Sequence, residues 1–399
     1  MKTEIFTDEI EKAAKILQNG GLVAVPTETV YGLAGNGLDS EAVEKIYEVK
    51  GRPAIKPLAL MVCGPEAMEE YCREAPPAAR CLAEKFWPGP LTIVLKAKKS
   101  VPEIVRAGGD TVGLRCPDHP MTLALLKQAK IPFAAPSANP TGSESPKNAQ
   151  EVLAYFDGKI QAVVDGGPCG LGRESTIIDL SETPYRILRQ GALPRQEIEN
   201  ELVEKLKIIG ITGGTGCGKT TALSCLERRG ALLIDCDALY HEMLRTDREM
   251  LEEITARFAG VTVDGRLDTK LLGAIVFYDK SALEDLNVIT HKHVDRRVSE
   301  ILRDFAMCGG RLAAIDAIAL LESGISQKCS AVVGVLADYN ARIERIMKRD
   351  NISREYAENR VKSQKSDEFY RQKCDYILVN SSTEEEFYKQ CEKLFEEIL

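Results

Sequence analysis

The sequence has no C-x-x-C pair, no apolar run long enough to cross a bilayer and no Gly/Ser- or Pro-rich tether. Its twelve cysteines follow no regular framework; Cys63, Cys72 and Cys81 recur every nine residues, which is neither zinc-ligand nor helical-face spacing. A disulfide scaffold and a cysteine-rich zinc module are therefore excluded, and reduced, mostly buried thiols of a cytoplasmic protein are expected. The lack of a long apolar stretch excludes a membrane-spanning helix. The opening "MKTEIFTDEIEKAAKIL" carries acids within its apolar stretch, so it does not read as a secretory signal. Basic charge is not in excess either: the net charge is −8, and acids outnumber bases on both sides of residue 200. Bulk attraction to nucleic acid is not implied, and any such contact is left open.

What is present is ordinary globular material. Hydrophobic residues make up 44% of the chain, enough for real cores, and 399 residues suggest two domains. In the first half, "DEIEKAAKILQNGG" places Ile10, Ala13, Ala14 and Leu17 on one helical face, with Asp8 as a cap and Gly20-Gly21 as a stop. Ser40 opens a second helix. Strands are predicted at "LVAVPTET", "PLALMV", "LTIVLKA", "TVGLR", "PFAAP", "AVVDGG", "STIIDL" and "YRILRQG", with helices at "MTLALLKQA" and "NAQEVLAYF". This is a mixed α/β pattern with irregular connections. A short amphipathic helix, "QEIENELVEKL", closes it, and strand "KIIGIT" follows at once. Domains of 1–205 and 206–399 result. The second half alternates strand and helix and ends in a helix capped near Ser381, an order that argues for a parallel sheet with right-handed crossovers.

"GITGGTGCGKTT" is the most specific stretch. Gly213, Gly214, Thr215, Gly216, Cys217, Gly218, Lys219 and Thr220 fit G-x-x-x-x-G-K-[ST], with Thr221 beyond them, a strand before and a helix after. Glycines let main-chain N–H groups close around phosphate oxygens, and a helix N-terminus adds its dipole. Lys219 reaches the terminal phosphates and Thr220 serves Mg2+. Asp237, after strand "ALLIDCD", is either a base for an attacking hydroxyl or a cap for helix "ALYHEML". Asp316 ends strand "RLAAID" where a Mg2+ ligand belongs.

Residues 207–399 resemble dephospho-CoA kinase. The resemblance rests on the phosphate loop, "DCD", "DGRLDTKLLGAIVF", "LEDLNVITHKHV", "DAIALLES", "ARIERIMKRDNISREYAENRVKSQ" and "CDYILVN", in family order. It implies a P-loop kinase fold with a helical acceptor region and a lid, and transfer of the ATP γ-phosphate to the ribose 3'-hydroxyl of dephospho-CoA. Asp237 matches the family's base; Arg345 and Arg349 match lid arginines. Cys217 stands where serine is usual, His241 follows the DCD motif in place of arginine, Lys292 follows His291 in place of proline, and Ile318 replaces the proline of "PLL".

The first half has no such loop but gathers phosphate-binding groups elsewhere. "KGRPAIKP" sets Lys50, Arg52 and Lys56 in a turn broken by glycine and prolines, so the cations can converge on an anion. Arg115, Arg173 and Arg189 stand at strand ends or loops. "APSANPTG" offers Ser137 and Asn139. "PTETVYGL" offers Thr27, Thr29 and Tyr31, alternating and hence on one face of an extended segment.

From about Glu9 to Gly191 the chain resembles the YrdC-like threonylcarbamoyl-AMP synthases, through "PTETVYGL", "KGRP", "WPGPLTIVL", "TVGLRCPDHP", "PSAN", "STIIDL" and "ILRQGAL". The resemblance implies an open twisted α/β sheet and a reaction of L-threonine, bicarbonate and ATP whose product feeds t6A modification of tRNA. Lys50 and Arg52 match the family's KxR pair, Ser137 and Asn139 its SxN pair. Thr29 and Tyr31 fall where threonine is held, and Ser175 and Arg189 match further ligand positions. Lys56 stands where histidine is frequent. The expectation is a bifunctional enzyme with two ATP sites and possible partners among t6A-modification proteins. The alternatives are an RNA-binding first half and a different nucleoside or nucleotide kinase as the second.

Overall fold

The computed structural model describes residues 2–263 and 266–399; Asp264 and Gly265 of the "DGRLDTKLLGAIVF" signature lie outside the described residues. Two compact units result: Met1–Lys205 with Met307–Gly309, and Leu206–Ala306 with Gly310–Leu399.

The first unit is built on ten short strands: β1 (Glu4–Phe6), β2 (Val23–Val25), β3 (Gly32–Asn36), β4 (Ala59–Met61), β5 (Leu91–Lys96), β6 (Thr111–Arg115), β7 (Phe133–Ala134), β8 (Ala162–Val164), β9 (Thr176–Asp179) and β10 (Arg186–Arg189). They form one mixed sheet in the order β1-β8-β2-β3-β7-β4-β6-β5-β9-β10. The pairs β1–β8, β8–β2, β4–β6 and β5–β9 are parallel, and the other five are antiparallel. β1 and β3 were not anticipated. β1 is three residues long, and "GLAGN" in β3 lacks the β-branched and aromatic residues that mark strands.

Helix Ile10–Gln18 buries Ala13, Ala14 and Leu17, as its periodicity required, and packs on helix Pro120–Ala129. Its cap differs from expectation. Asp8 does not cap it; Glu9 precedes the helix, and its carboxylate instead accepts from the Thr7 and Asp8 N–H groups. Together with Phe6, Val23, Val25, Leu125 and Phe133 this helix pair forms a dry core on one side of the sheet.

In the second unit, β11 (Lys207–Thr212), β12 (Leu232–Asp235), β15 (Leu312–Asp316), β16 (Ala331–Leu336) and β17 (Tyr376–Val379) form a sheet in the order β12-β15-β11-β16-β17; β13 (Thr262–Val263) and β14 (Arg266–Leu267) pair separately. Every pair in the five-stranded sheet is parallel. Near-continuous apolar runs such as "AVVGVL" are what a strand covered on both faces requires. Ile209, Ile211, Val333 and Val335 pack under Phe387 and Phe395 of the final helix. That helix, Glu384–Ile398, has a capping box, but Thr383 and Glu386 make it rather than a cap at Ser381.

The chain is tightly packed at the β9–β10 edge of the ten-stranded sheet. A Cβ on Gly191 would lie 2.2 Å from the Glu174 carbonyl oxygen and 2.3 Å from the Ser175 carbonyl carbon, both main-chain atoms that cannot rotate away. Gly191→Ala is therefore expected to destabilise the first unit by at least about 1–3 kcal/mol, the usual cost of overpacking, read as a lowered thermal midpoint.

Candidate functional site

In the first unit, the ends of several central strands open onto a cavity of about 150 Å³. Arg52, Arg115 and Arg189 line it together with Ser137, Ser175, Thr92 and Glu174, over a floor of Val30, Met61 and Ile177. Arg115 is buried at the end of β6. Its Nη2 donates to Glu28 Oε1 at 2.8 Å and to Thr29 Oγ1 at 2.7 Å, while its Nε has no partner among the described residues. Glu28 Oε2 also accepts the Asp118 N–H, so one carboxylate fixes both the arginine and the loop beyond it.

The two predicted pairs meet. Lys50 donates through Nζ to the main-chain oxygens of both Ser137 and Asn139. It is the last residue of helix Ser40–Lys50, which ends at Gly51 in the left-handed region, so it does not lie in the turn as anticipated. Burial, helped by neighbouring Arg52, pushes its amine down to about 8. Lys50 therefore braces the wall from behind, and Arg52 is the member of the pair that lines the cavity. Arg52 is held by the carbonyls of Lys56 and Pro57. The three cations of the turn do not converge: Lys56 is exposed and contributes its main-chain oxygen.

Thr27, Thr29 and Tyr31 do not share one face of an extended segment. Thr27 Oγ1 accepts the Thr29 and Val30 N–H groups, which bends the chain into a turn. The two threonine hydroxyls meet at 2.8 Å beside Arg115, whereas the buried Tyr31 hydroxyl donates to the Gly167 carbonyl at 2.8 Å. Asn139 is buried, donates to the Pro140 and Ser143 carbonyls, and leaves Oδ1 without a partner. Arg173 is exposed and donates to the Gln190 carbonyl. Thr92 and Glu174 were missed because a threonine in an apolar strand and a glutamate in a loop carry no motif of their own.

In the second unit the phosphate loop joins β11 to helix Lys219–Arg228. Gly218 takes φ +98°, and a Cβ there would lie 2.2 Å from Asn380 Nδ2; only glycine meets both conditions. The Thr221 N–H donates to the Gly218 carbonyl at 3.1 Å, and the leading N–H groups of a helix N-terminus lack intrahelical acceptors. Lys219 Nζ lies 3.4 Å from the Gly213 carbonyl and 3.6 Å from Asp316 Oδ1. Parallel register sets Asp235 of β12 beside Asp316 of β15. Desolvation raises the Asp316 carboxyl to about 6, with Lys219 opposing and Asp235 and Asp237 adding. The helix cap is Asp235, whose Oδ1 accepts from the Asp237 and Ala238 N–H groups. Asp237 is therefore not the cap. Its carboxylate stands clear of that task, and its pKa is raised chiefly by desolvation, against Lys219.

Behind the loop lies a latch. Buried Arg342 donates through Nε to the Thr215 carbonyl at 3.1 Å and through Nη2 to Gln364 Oε1 at 2.7 Å. The Gln364 amide accepts the Thr215 N–H at 2.9 Å and donates to Thr215 Oγ1 at 2.7 Å. Arg345 donates to the Gly216 carbonyl and to Asn380 Oδ1, and Asn380 Nδ2 donates to the Cys217 carbonyl. Arg349 instead lies exposed against Asp350, so of the two anticipated lid arginines only Arg345 reaches the loop. Arg342, Gln364 and Asn380 lie inside recognised segments, but only the fold shows what they touch. His291 sits within the long helix Lys280–Met307 rather than at a helix end, and His241 is exposed. All twelve cysteines are free, with Cys63 and Cys308 exposed. Among the described residues, no helix is long and apolar enough to cross a membrane.

The chain thus joins an arginine-lined ligand cavity in a mixed sheet to a P-loop phosphotransferase fold. A family model described as "Telomere recombination", for Sua5, YciO and YrdC, matches residues 15–191, and one described as "Dephospho-CoA kinase", for CoaE, matches residues 207–386. A threonylcarbamoyl-AMP synthase of Pyrococcus abyssi is 47% identical over 49% of this chain and 58% of its own. A protein of Methanocaldococcus jannaschii, described as a candidate threonylcarbamoyl-AMP synthase, is 35% identical over 49% of this chain and 93% of its own. A dephospho-CoA kinase of Fusobacterium nucleatum is 34% identical over 48% of this chain and 99% of its own. The chain spans little more than half the length of the Pyrococcus protein. It belongs to both families, with a Sua5/YrdC-type first half and a dephospho-CoA kinase-type second half.

The Gln364 amide carries three of the latch contacts. Gln364→Ala leaves the buried Arg342 guanidinium only the Thr215 carbonyl and Asp367 at 4.0 Å, and is expected to cost about 1–3 kcal/mol. The checks are a lower unfolding midpoint and a weaker ATP affinity by calorimetry.

Proposed function

We propose that the chain is a bifunctional enzyme with two separate ATP sites. The observation that carries the reading is the pair of unlike anion sites: three guanidinium groups around one cavity, and a glycine loop opening a helix in the other unit.

In the first, the threonine amine and bicarbonate combine with loss of water to give a carbamate. A carbamate oxygen attacks the α-phosphorus of ATP, the bond to the bridging oxygen breaks, and pyrophosphate leaves. Nucleophile and electrophile are both anionic, so Arg52, Arg115 and Arg189 screen their repulsion and stabilise the charge on the leaving group. Arg115 is positioned by Glu28 and Thr29, and its unpartnered Nε is free for a carboxylate. Ser137 and Ser175 supply hydroxyl donors; Thr27 and Tyr31, outside the lining, hold the segment that carries Thr29 beside Arg115, and Lys50 ties down the Ser137–Asn139 wall.

In the second, those loop amides between Gly213 and Thr220 that have no protein acceptor, together with Lys219, hold the ATP phosphates, while the Thr215 N–H stays with Gln364. Asp237 takes the proton of the ribose 3'-hydroxyl of dephospho-CoA as that oxygen attacks the γ-phosphorus, and ADP leaves. Arg345 steadies the loop, and Arg349 closes over the phosphates by exchanging Asp350 for them. Where ATP carries Mg2+, Thr220 and Asp316 would hold it. Asp316 Oδ1 is buried, has no hydrogen-bond partner within range among the described residues and faces the Lys219 ammonium at 3.6 Å, which suits an oxygen that answers a cation, and the ion would screen the phosphate charge. Free thiols suit a reducing cytoplasm, and release of threonylcarbamoyl-AMP there suits contact with t6A-modification proteins.

Both reactions are assayed on the whole chain. Lys50→Ala is expected to abolish threonine- and bicarbonate-dependent pyrophosphate release and leave CoA formation intact; Lys219→Ala does the reverse. Loss of both activities from either change, in a protein that still melts normally, would contradict separate sites. Phosphorylation of a nucleoside but not of dephospho-CoA would redirect the kinase reading.

A further inference from the structure

Thr92 lies within the "WPGPLTIVL" run, on β5, between β6 and β9, where it pairs with Ile177. It is buried, with 3% of its surface exposed, yet its side chain is in the lining of the arginine-bearing cavity. A polar side chain in an otherwise apolar strand calls for a partner, and it has one. Thr92 Oγ1 lies 2.8 Å from Ser175 Oγ.

Ser175 is already engaged from the other side. Arg189 Nη2 donates to Ser175 Oγ at 3.2 Å, and Nε and Nη2 donate to the Ser175 carbonyl at 3.1 and 2.8 Å. A hydroxyl oxygen can accept at two lone pairs and donate one proton, whereas a guanidinium can only donate. One Ser175 lone pair is therefore filled by Arg189. If Thr92 donates into the other, the Ser175 proton is left for the cavity, where an anionic oxygen would take it. If instead Ser175 donates to Thr92, the cavity loses that donor. An anion in the cavity selects the first arrangement, because an ionised acceptor makes the stronger hydrogen bond.

We propose that Thr92 is a positioning residue of this site: it fills the second lone pair of Ser175 and so commits the serine hydroxyl to donate to an anionic oxygen of the bound ligand. This rests on reading the cavity as the adenylation site. The oxygen belongs to the nucleotide phosphates or to the threonine carboxylate or carbamate, and the ligand whose affinity responds tells which.

Thr92→Val, Thr92→Ser, Ser175→Ala and the Thr92→Val/Ser175→Ala double variant are compared on the whole chain. Thr92→Val should raise the KM for ATP or for threonine by about five- to tenfold, the worth of one hydrogen bond, with kcat much less affected. Thr92→Ser should restore wild-type behaviour. In the Ser175→Ala background, Thr92→Val should add nothing, because the two act through one hydroxyl. An equal penalty with and without Ser175, or unchanged KM values for both ligands, overturns the proposal. Melting curves accompany each variant, and Thr92→Ala replaces Thr92→Val if the latter melts early. Should the wild-type chain release no pyrophosphate, the adenylation reading fails. Calorimetric titration of the same proteins with ATP and with threonine then decides the inference: affinities equal to wild type for both ligands sink it.

Discussion

A cation removed from water has to be matched by oxygen atoms, or the fold cannot afford it. Both sites are organised by that constraint. Arg115 is nearly enclosed, and Glu28, Thr29 and Thr27 gather around one of its terminal nitrogens. Arg342 is equally enclosed, and the Thr215 carbonyl and Gln364 amide answer it. In each case compensation is one-sided in its consequence. Glu28 and Thr29 beside Arg115, and Thr215 beside Arg342, belong to the segments of the two candidate sites, so satisfying the charge also sets the shape of those segments.

The two sheets place these groups differently. In the second unit parallel register brings Asp316 and Asp235 to one edge, level with the end of β11, and the glycine loop leaves from that edge. Main-chain amides whose directions the helix fixes are what that edge presents. In the first unit the strands are mixed in direction and short, and no helix N-terminus dominates. Side chains from β5, β6 and the segments after β7 and before β9 reach the cavity instead. Lys50 contributes by tying the Ser137–Asn139 segment down from behind. Its lowered basicity measures how little solvent remains around it.

How much of this was legible depended on range. Local periodicity located most helices, and apolar runs located most of the longer strands. β3 escaped because its glycines carry no strand signal; the close packing there, where a Cβ on Gly35 would lie 3.0 Å from Leu22 Cδ2, shows only in the fold. Caps were misplaced by one or two residues at Asp8 and Ser381, since several adjacent polar residues can cap and packing chooses among them. The identities of Arg52, Ser137, Ser175 and Arg189 were readable as chemistry, and they do share one cavity.

The primary structure alone determined the class of each half, because a glycine-lysine loop between strand and helix has few other uses and the ordered signatures of both families are linear text. It also determined which residue types could meet an anion. The tertiary structure decided their placement: that Lys50 faces inward and Arg52 faces the cavity, that Asp235 rather than Asp237 caps a helix, that Thr92 meets Ser175, and that Arg342 and Gln364 meet the phosphate loop. Those placements depend on partners up to about 150 residues away, as in the Thr215–Gln364 contact with a separation of 149. No local pattern encodes a contact made across that much chain; only packing the strands side by side creates it.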